Sequence, residues 1–235
     1  GSTDGSASIL REYAARDSRF VILTQPNAGA GAARNNGLKA ARGQYLSFLD
    51  ADDFFAGNLL ATAFASCEKW QADFTVFRSD VFNNDTKRFE TSLWTVKDEL
   101  LPRQEVFSYR DIPRDLFKVF VGWAWDKLYR RDFVLASQLC FQEQRTTNDM
   151  LFVFSALVKA KRIHVCQSVL AHHRRSVAET LSVTREKSWD CFYQALAALK
   201  AELLAMGIYE DVKASFINYA LHFCLWNLNT ITGPA

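Results

Sequence analysis

The chain has 235 residues, with 28 Lys and Arg against 26 Asp and Glu, a net charge of +2 and 49% apolar residues. This is the balance of a folded globular protein; it excludes a disordered segment, which would lack its 19 Phe and 6 Trp, and argues against a nucleic-acid binder, which would carry a basic surplus. A chain of this length buries roughly 70–75% of its unfolded surface, so it needs neither disulfides nor a structural metal to fold.

In chain order, Ser6 reads as the cap of a helix with Ile9, Leu10, Tyr13 and Ala14 at helical spacing. Residues 19–24 read as a short buried strand, followed by a loop with Pro26 and Gly29 and a small-residue helix over 30–41. A second strand over 45–49 ends in Asp50-Ala51-Asp52-Asp53, so these two strands are expected to be parallel in a right-handed βαβ unit. A helix over 57–70 follows, then a hairpin whose strands cover 73–82 and 87–94 around Asn83-Asn84-Asp85. Further expected elements are helices over 111–120, with Pro113 in the first turn, and over 131–137. Thr147 or Asn148 should cap another helix running to about 159, ahead of two short strands at 162–165 and 169–173. From Arg185 onward the pattern is helical and breaks near Gly207. The division this suggests is an α/β region over 1–95, a mixed region over 96–184 and a helical section over 185–235.

The cysteines Cys67, Cys140, Cys166, Cys191 and Cys224 are widely spaced, with no C-x-x-C pair. They read as free thiols in a reducing compartment, which makes the cytoplasm the expected location. The opening residues do not have the pattern of a secretory signal, and no run approaches the ~20 apolar residues of a membrane span. Phe107, Phe117 and Phe120 read as core, with a membrane-facing role as the alternative.

Two segments carry the chemistry. In Asp50-Ala51-Asp52-Asp53, alternation puts Asp50 and Asp52 on one side of the chain as it leaves a strand, and open parallel sheets bind ligands at such ends. Adjacent carboxylates suit Mg²⁺ or Mn²⁺ held between them and a diphosphate; the bland alternative is a solvated turn with Asp53 as a helix cap. In the segment from Asn27 to Gly37, small residues let backbone approach a ligand, Arg34 adds a cationic fork and Asn35 both donates and accepts. A helix packed tightly on a sheet explains the same small residues.

Taken together, Gly1-Ser2-Thr3-Asp4-Gly5-Ser6, Gln25-Pro26-Asn27-Ala28-Gly29, Ala33-Arg34-Asn35-Asn36-Gly37 and Phe48-Leu49-Asp50-Ala51-Asp52-Asp53 resemble family-two glycosyltransferases of the GT-A fold. Trp125-Asp126-Lys127-Leu128-Tyr129-Arg130 resembles that family's W-x-K-L-Y-R segment, common in bacterial polysaccharide transferases. Asn148-Asp149-Met150-Leu151-Phe152 is similar to its E-D-x-x-F segment, with Asn148 in place of Glu, and His173-Arg174 followed by Ser176 to its Y-R stretch. The resemblance covers residues 1 to about 185.

The resemblance implies an α/β GT-A-like nucleotide-sugar-binding sheet flanked by helices, with a mixed acceptor region and a helical C-terminal section. It implies an inverting, metal-assisted transfer of sugar from a nucleoside-diphosphate donor, a UDP-sugar, to a glycan or lipid-linked acceptor hydroxyl. Asp149 would be the general base; Arg34, Asn35, Asp50 and Asp52 would bind the donor, with Asp52 and Asp50 holding Mn²⁺ or Mg²⁺. Trp125, Lys127 and Arg174 would meet the acceptor, and Trp123 is assigned to the core. His172, His173, Arg174 and Arg175 form a basic cluster that suits a phosphate or a solvated strand end, and a lipid-linked acceptor implies peripheral contact with the inner face of a membrane. Family members carry roughly forty residues, one βαβ unit, before the D-D-G-S motif that Gly1 to Ser6 enter midway. The expectation is therefore a sheet short of its first strand, with self-association through it. The rival reading is a catalytically impaired interaction module.

Overall fold

Two long strands organise the molecule, β3 (Phe74–Asn83) and β7 (Ile163–Arg175), which run parallel from Phe74 opposite Ile163 to Asn83 opposite Arg175. The computed structural model describes residues 1–175 and 187–230. The remaining strands are β1 (Tyr45–Leu46), β2 (Phe54–Phe55), β4 (Arg88–Glu90), β5 (Val106–Phe107) and β6 (Lys127–Arg130), and the sheet order is β1-β6-β3-β7-β2, with β4 on β3 and β5 on β7. β6 lies antiparallel between β1 and β3, so the sheet runs across residue 95. The helices are α1 (Ser6–Arg16), α2 (Gly29–Ala40), α3 (Leu59–Trp70), α4 (Leu116–Val119), α5 (Arg131–Ala136), α6 (Met150–Lys159), α7 (Cys191–Ala205) and α8 (Tyr209–Thr230).

Strand alternation builds a core on each face of the sheet. Phe74 and Val76 of β3 and Tyr129 of β6 join the larger cluster with Phe152, Leu157, Leu199 and Val212 from α6, α7 and α8. Phe77 and Leu128 point to the other face, where Leu59, Ala63 and Cys67 of α3 close over them. Eight of the ten residues of α6 are buried. Each large side chain there contributes about 1.5–3 kcal/mol as an upper value, which makes α6 the anchor of the molecule. Phe107, Phe117 and Phe120 are all buried, as the core assignment expects. The five cysteines are free, and among the described residues no helix is long and apolar enough to cross a membrane.

The structure corrects several elements. Residues 19–24 form no strand, and Phe20, Val21, Ile22 and Leu23 are exposed, because no strand among the described residues pairs with them. The expected parallel pair with 45–49 is therefore absent: that strand shortens to Tyr45–Leu46 and pairs antiparallel with β6. Gly5, not Ser6, occupies the cap of α1, and Asp4 accepts from the Ser6 amide at 3.0 Å. The helix expected over 111–120 breaks into a 3-10 turn at Tyr109–Asp111 and the single turn α4, with Pro113 between them. Asp149 takes the cap position of α6 in place of Thr147 or Asn148. The two strands expected between 162 and 173 are one strand, β7, interrupted in register opposite Phe77 to Ser79. The C-terminal helices break as expected at Gly207, whose φ of +68° lies in the left-handed region that glycine adopts without strain. Ser176, the helix start at Arg185 and the boundary at 184/185 lie outside the described residues.

Candidate active site

After Leu46 the chain leaves the sheet and turns through Asp50 to Asp53, closed by the Asp53 amide donating to the Asp50 carbonyl at 3.3 Å. Carboxylate oxygens of Asp50, Asp52 and Asp53 lie within 4.8 Å of one another. They differ in what they touch. Asp53 is 3% exposed at the side chain and is engaged by His173 Nδ1 at 3.1 Å and the Arg174 amide at 2.9 Å. The pairing of β2 with β7, Phe54 opposite His172, brings those partners to it. Asp50 accepts from Arg34 at 2.5 Å. Burial pushes its carboxyl up; Arg34 opposes that, and Asp52 and Asp53 add to it. Asp52 is exposed and has no hydrogen-bond or ion-pair partner among the described residues. An oxygen-ligand divalent cation fits this donor set, because Asp50 and Asp52 repel each other and Asp52 has nothing to neutralise it.

Arg34 is placed by α2, which approaches the segment before α6 closely: a Cβ at Gly31 would stand 2.0 Å from the Gln142 carbonyl oxygen. Two turns of chemistry fasten that approach. Asn35 Oδ1 accepts from the Phe141 amide at 2.8 Å, and Asn35 Nδ2 donates to the Phe141 carbonyl at 2.9 Å. Both ends of the Asn35 amide are thus engaged by the protein, which makes it a clamp between α2 and residue 141. Arg34 donates to Asn148 Oδ1 at 2.7 Å while donating to Asp50, and its guanidinium lies over the Phe141 ring at 5.4 Å. One side chain therefore ties the acidic turn to the residue preceding Asp149.

Asp149 caps α6 by position but makes no side-chain cap bond. Burial pushes its carboxyl up to about 6, with Arg34 and Lys127 opposing the rise and Asp50 reinforcing it. A carboxyl poised there is a competent proton acceptor near neutral pH. Tyr129 of β6 and Tyr219 of α8 stand within its electrostatic reach, and the fully buried Tyr129 hydroxyl has no hydrogen-bond partner. Neither tyrosine was singled out from the sequence; only the place of Tyr129 inside the K-L-Y-R segment marks it.

The side chains of the other expected residues are engaged elsewhere: Lys127 reaches Asp149 only through its charge, and Arg174 meets the acidic turn through its backbone amide. Lys127 is 0% exposed, and its ammonium donates to Asp126 at 2.5 Å and to the Trp123 carbonyl at 2.7 Å, so it joins β6 to the chain that enters it. Trp125 is buried and stacks on Trp123 at 4.7 Å, while Trp123 remains partly exposed, the reverse of the expected assignment. Arg174 lies over the Phe54 ring at 4.3 Å, with its Nε buried and unpartnered.

Comparison with known proteins gives this geometry a setting. The uncharacterized glycosyltransferase EpsJ of Bacillus subtilis is 30% identical over 97% of this chain and 67% of its own length. The fold matches S. aureus TarS 1-349 in complex with UDP-GlcNAc, with a TM-score of 0.71 and 20% identity over 99% of this chain and 65% of that one. It also matches the mannosyltransferase PcManGT from Pyrobaculum calidifontis in complex with GDP-Man and Mn²⁺, at a TM-score of 0.53 and 16% identity over 100% of this chain and 65% of that one. The chain spans about two thirds of the length of these relatives. The sheet and its flanking helices are thus those of GT-A glycosyltransferases. Residues 1–135, from Gly1 through the acidic turn to β6, match the glycosyl transferase family 2 domain, and the chain belongs to that family.

Proposed function

We propose that the protein transfers a sugar, with inversion, from a nucleoside-diphosphate donor bound at Asp50 and Asp52 to an acceptor hydroxyl deprotonated by Asp149. The observation that carries this reading is the Arg34 bridge, which couples the acidic turn to the helix cap where a carboxyl is held at about 6. The UDP-GlcNAc of TarS and the GDP-Man and Mn²⁺ of PcManGT support a nucleotide-sugar donor with a divalent ion for this fold. UDP-sugar is the donor class we assign, with a glycan or lipid-linked acceptor.

In the reaction, the acceptor oxygen forms a bond to the anomeric carbon as the bond from that carbon to the diphosphate breaks. Asp149 takes the acceptor proton, which it can do only when ionised. A divalent ion held by Asp52 and Asp50 would supply Lewis-acid stabilisation of the departing diphosphate. Arg34 holds Asp50 in place and keeps positive charge between the two carboxylate sites, and the Asn35 clamp preserves their spacing. Calorimetric titration with UDP and Mn²⁺, repeated with EDTA, tests the donor site. Asp52→Ala should weaken metal-dependent UDP binding by more than about tenfold, since even changes behind the ligands cost that much. Unchanged binding in a folded variant would remove the metal assignment.

A further inference from the structure

Beyond the acidic turn, a second constellation has no task in the reaction as described. Trp94 is 42% exposed, and it lies in neither apolar cluster. Its loop is nonetheless fastened: Thr95 Oγ1 donates to the Ser92 carbonyl at 3.1 Å, Val96 bridges to Phe120, and the Lys97 amide donates to the Val119 carbonyl at 3.0 Å. An indole held outward on an anchored loop is a pre-organised surface rather than a frayed one. Trp123 stands nearly perpendicular to it, with centroids 5.2 Å apart at 75°, so the two indoles make a corner. The back of Trp123 rests on buried Trp125, and His173 lies 5.3 Å from it. His173 in turn holds Asp53, so the corner sits one ring beyond the acidic turn.

The corner is flanked by positive charge. The Arg175 guanidinium lies over the Trp94 ring at 5.6 Å, and Arg175 makes no ion pair among the described residues. Arg174, next along β7, keeps a buried Nε without a partner. Asp53 is engaged by His173 Nδ1 and by the Arg174 backbone amide. Flat apolar faces at right angles receive the C–H faces of a sugar ring, and an unpaired guanidinium beside them receives a phosphate through charge-assisted hydrogen bonds.

We propose that Trp94 and Trp123, with Arg175, form an acceptor subsite for a phosphate-bearing saccharide. The assignment rests on the transferase reading above, and its test separates the two. The chain is saturated with UDP and Mn²⁺ to occupy the donor site, then titrated with N-acetylglucosamine 1-phosphate, N-acetylglucosamine and inorganic phosphate while tryptophan quenching is followed. The sugar phosphate should bind more tightly than either fragment. Trp94→Ala, at an exposed position that leaves folding intact, should weaken it about tenfold, and Arg175→Gln should erase about fivefold of preference over the neutral sugar. Neither change should alter UDP affinity. A dodecyl ester of the probe that binds more tightly assigns a lipid-linked source, and equal affinity assigns a glycan. Sugar-phosphate binding that survives both substitutions, or no preference over inorganic phosphate, overturns the subsite. Binding at the corner without any UDP binding would instead overturn the donor site and leave the subsite standing.

Discussion

Phe20-Val21-Ile22-Leu23 and Phe74-Thr75-Val76-Phe77 are both short runs of strongly β-forming residues, yet the first is 37–74% exposed and the second is 0% exposed throughout. The difference lies in what stands beside them. Residues 74–76 have β6 on one side and β7 on the other, with helices closing both faces. Residues 20–23 have no ladder partner among the described residues and lie after α1, which buries none of its own residues. Composition thus sets the capacity to form a strand, and neighbours decide whether it is used. The contrast extends to the candidate site. Asp149 sits on the packed half, at the cap of the buried helix α6, while Asp52 sits on the open half, exposed on a turn.

The sharpest way to test that division is at Asp149. Asn keeps the shape and removes the basicity, so transfer should fall by about 10²–10⁴-fold while UDP affinity survives. No cap bond is lost, because Asp149 makes none with its side chain. In the unsubstituted protein the rate should fall as pH drops through about 6, since the base works only when ionised. Stability carries the opposite sign. A carboxyl raised from 3.8 to about 6 binds a proton in the folded state that the unfolded state has released, so stability declines as pH rises from about 4 to about 6 and is level above that. Asp149→Asn should flatten that decline in a pH series of denaturant midpoints. Near-normal turnover by this variant would end the catalytic assignment.

Lys127 gives the next largest effect and separates a packing task from an acceptor task. Its ammonium and the Asp126 carboxylate are both fully buried, and burial pushes the Asp126 carboxyl up even with Lys127 beside it. Lys127→Ala strands that carboxylate in the interior and should cost about 3–5 kcal/mol in urea unfolding. A loss under 1 kcal/mol, accompanied by weaker acceptor binding, would return Lys127 to the acceptor role that the family resemblance implies.

Legibility follows the same line between packed and open. The hairpin at 73–94, the helix behind Gly57 and the break at Gly207 could be read because each depends on local spacing and turn chemistry. The strand over 19–24 could not, because its state depends on partners that no local pattern names. At the site, the acidic turn and Asp149 were visible as motifs. What the motifs do not encode is contact between distant segments. Arg34 reaches Asn148 across 114 residues and Asn35 reaches Phe141 across 106, and neither partner carries a local signal of the pairing. The burial of Trp123 and Trp125 is the reverse of that expected for a related reason: two indoles two residues apart look alike until the loop bearing Trp94 and the strand bearing His173 are in place.

The smallest expected effect on stability, and the most direct challenge to the contrast, lies at the open edge itself. Among the described residues β1 ends the sheet order and pairs with β6 alone, and the exposed run 20–23 offers apolar side chains and, beyond the Phe20 amide that donates to the Asp17 carbonyl, backbone with no ladder partner in the same N-terminal region. Such groups seek partners, so the protein should self-associate as its concentration rises in light scattering. Val21, 74% exposed, is the residue to change. Val21→Lys places a charge on the run without touching either core, so it should shift unfolding by no more than about 0.5 kcal/mol while suppressing association. The matching substitution on the packed run, Phe77→Lys, buries an unpaired charge between sheet and helix and should prevent folding altogether. If the unsubstituted protein stays monomeric at high concentration, the run at 20–23 is exposed without being adhesive. If Val21→Lys unfolds the protein, residues 20–23 contribute to the core after all, and the distinction between the two runs fails.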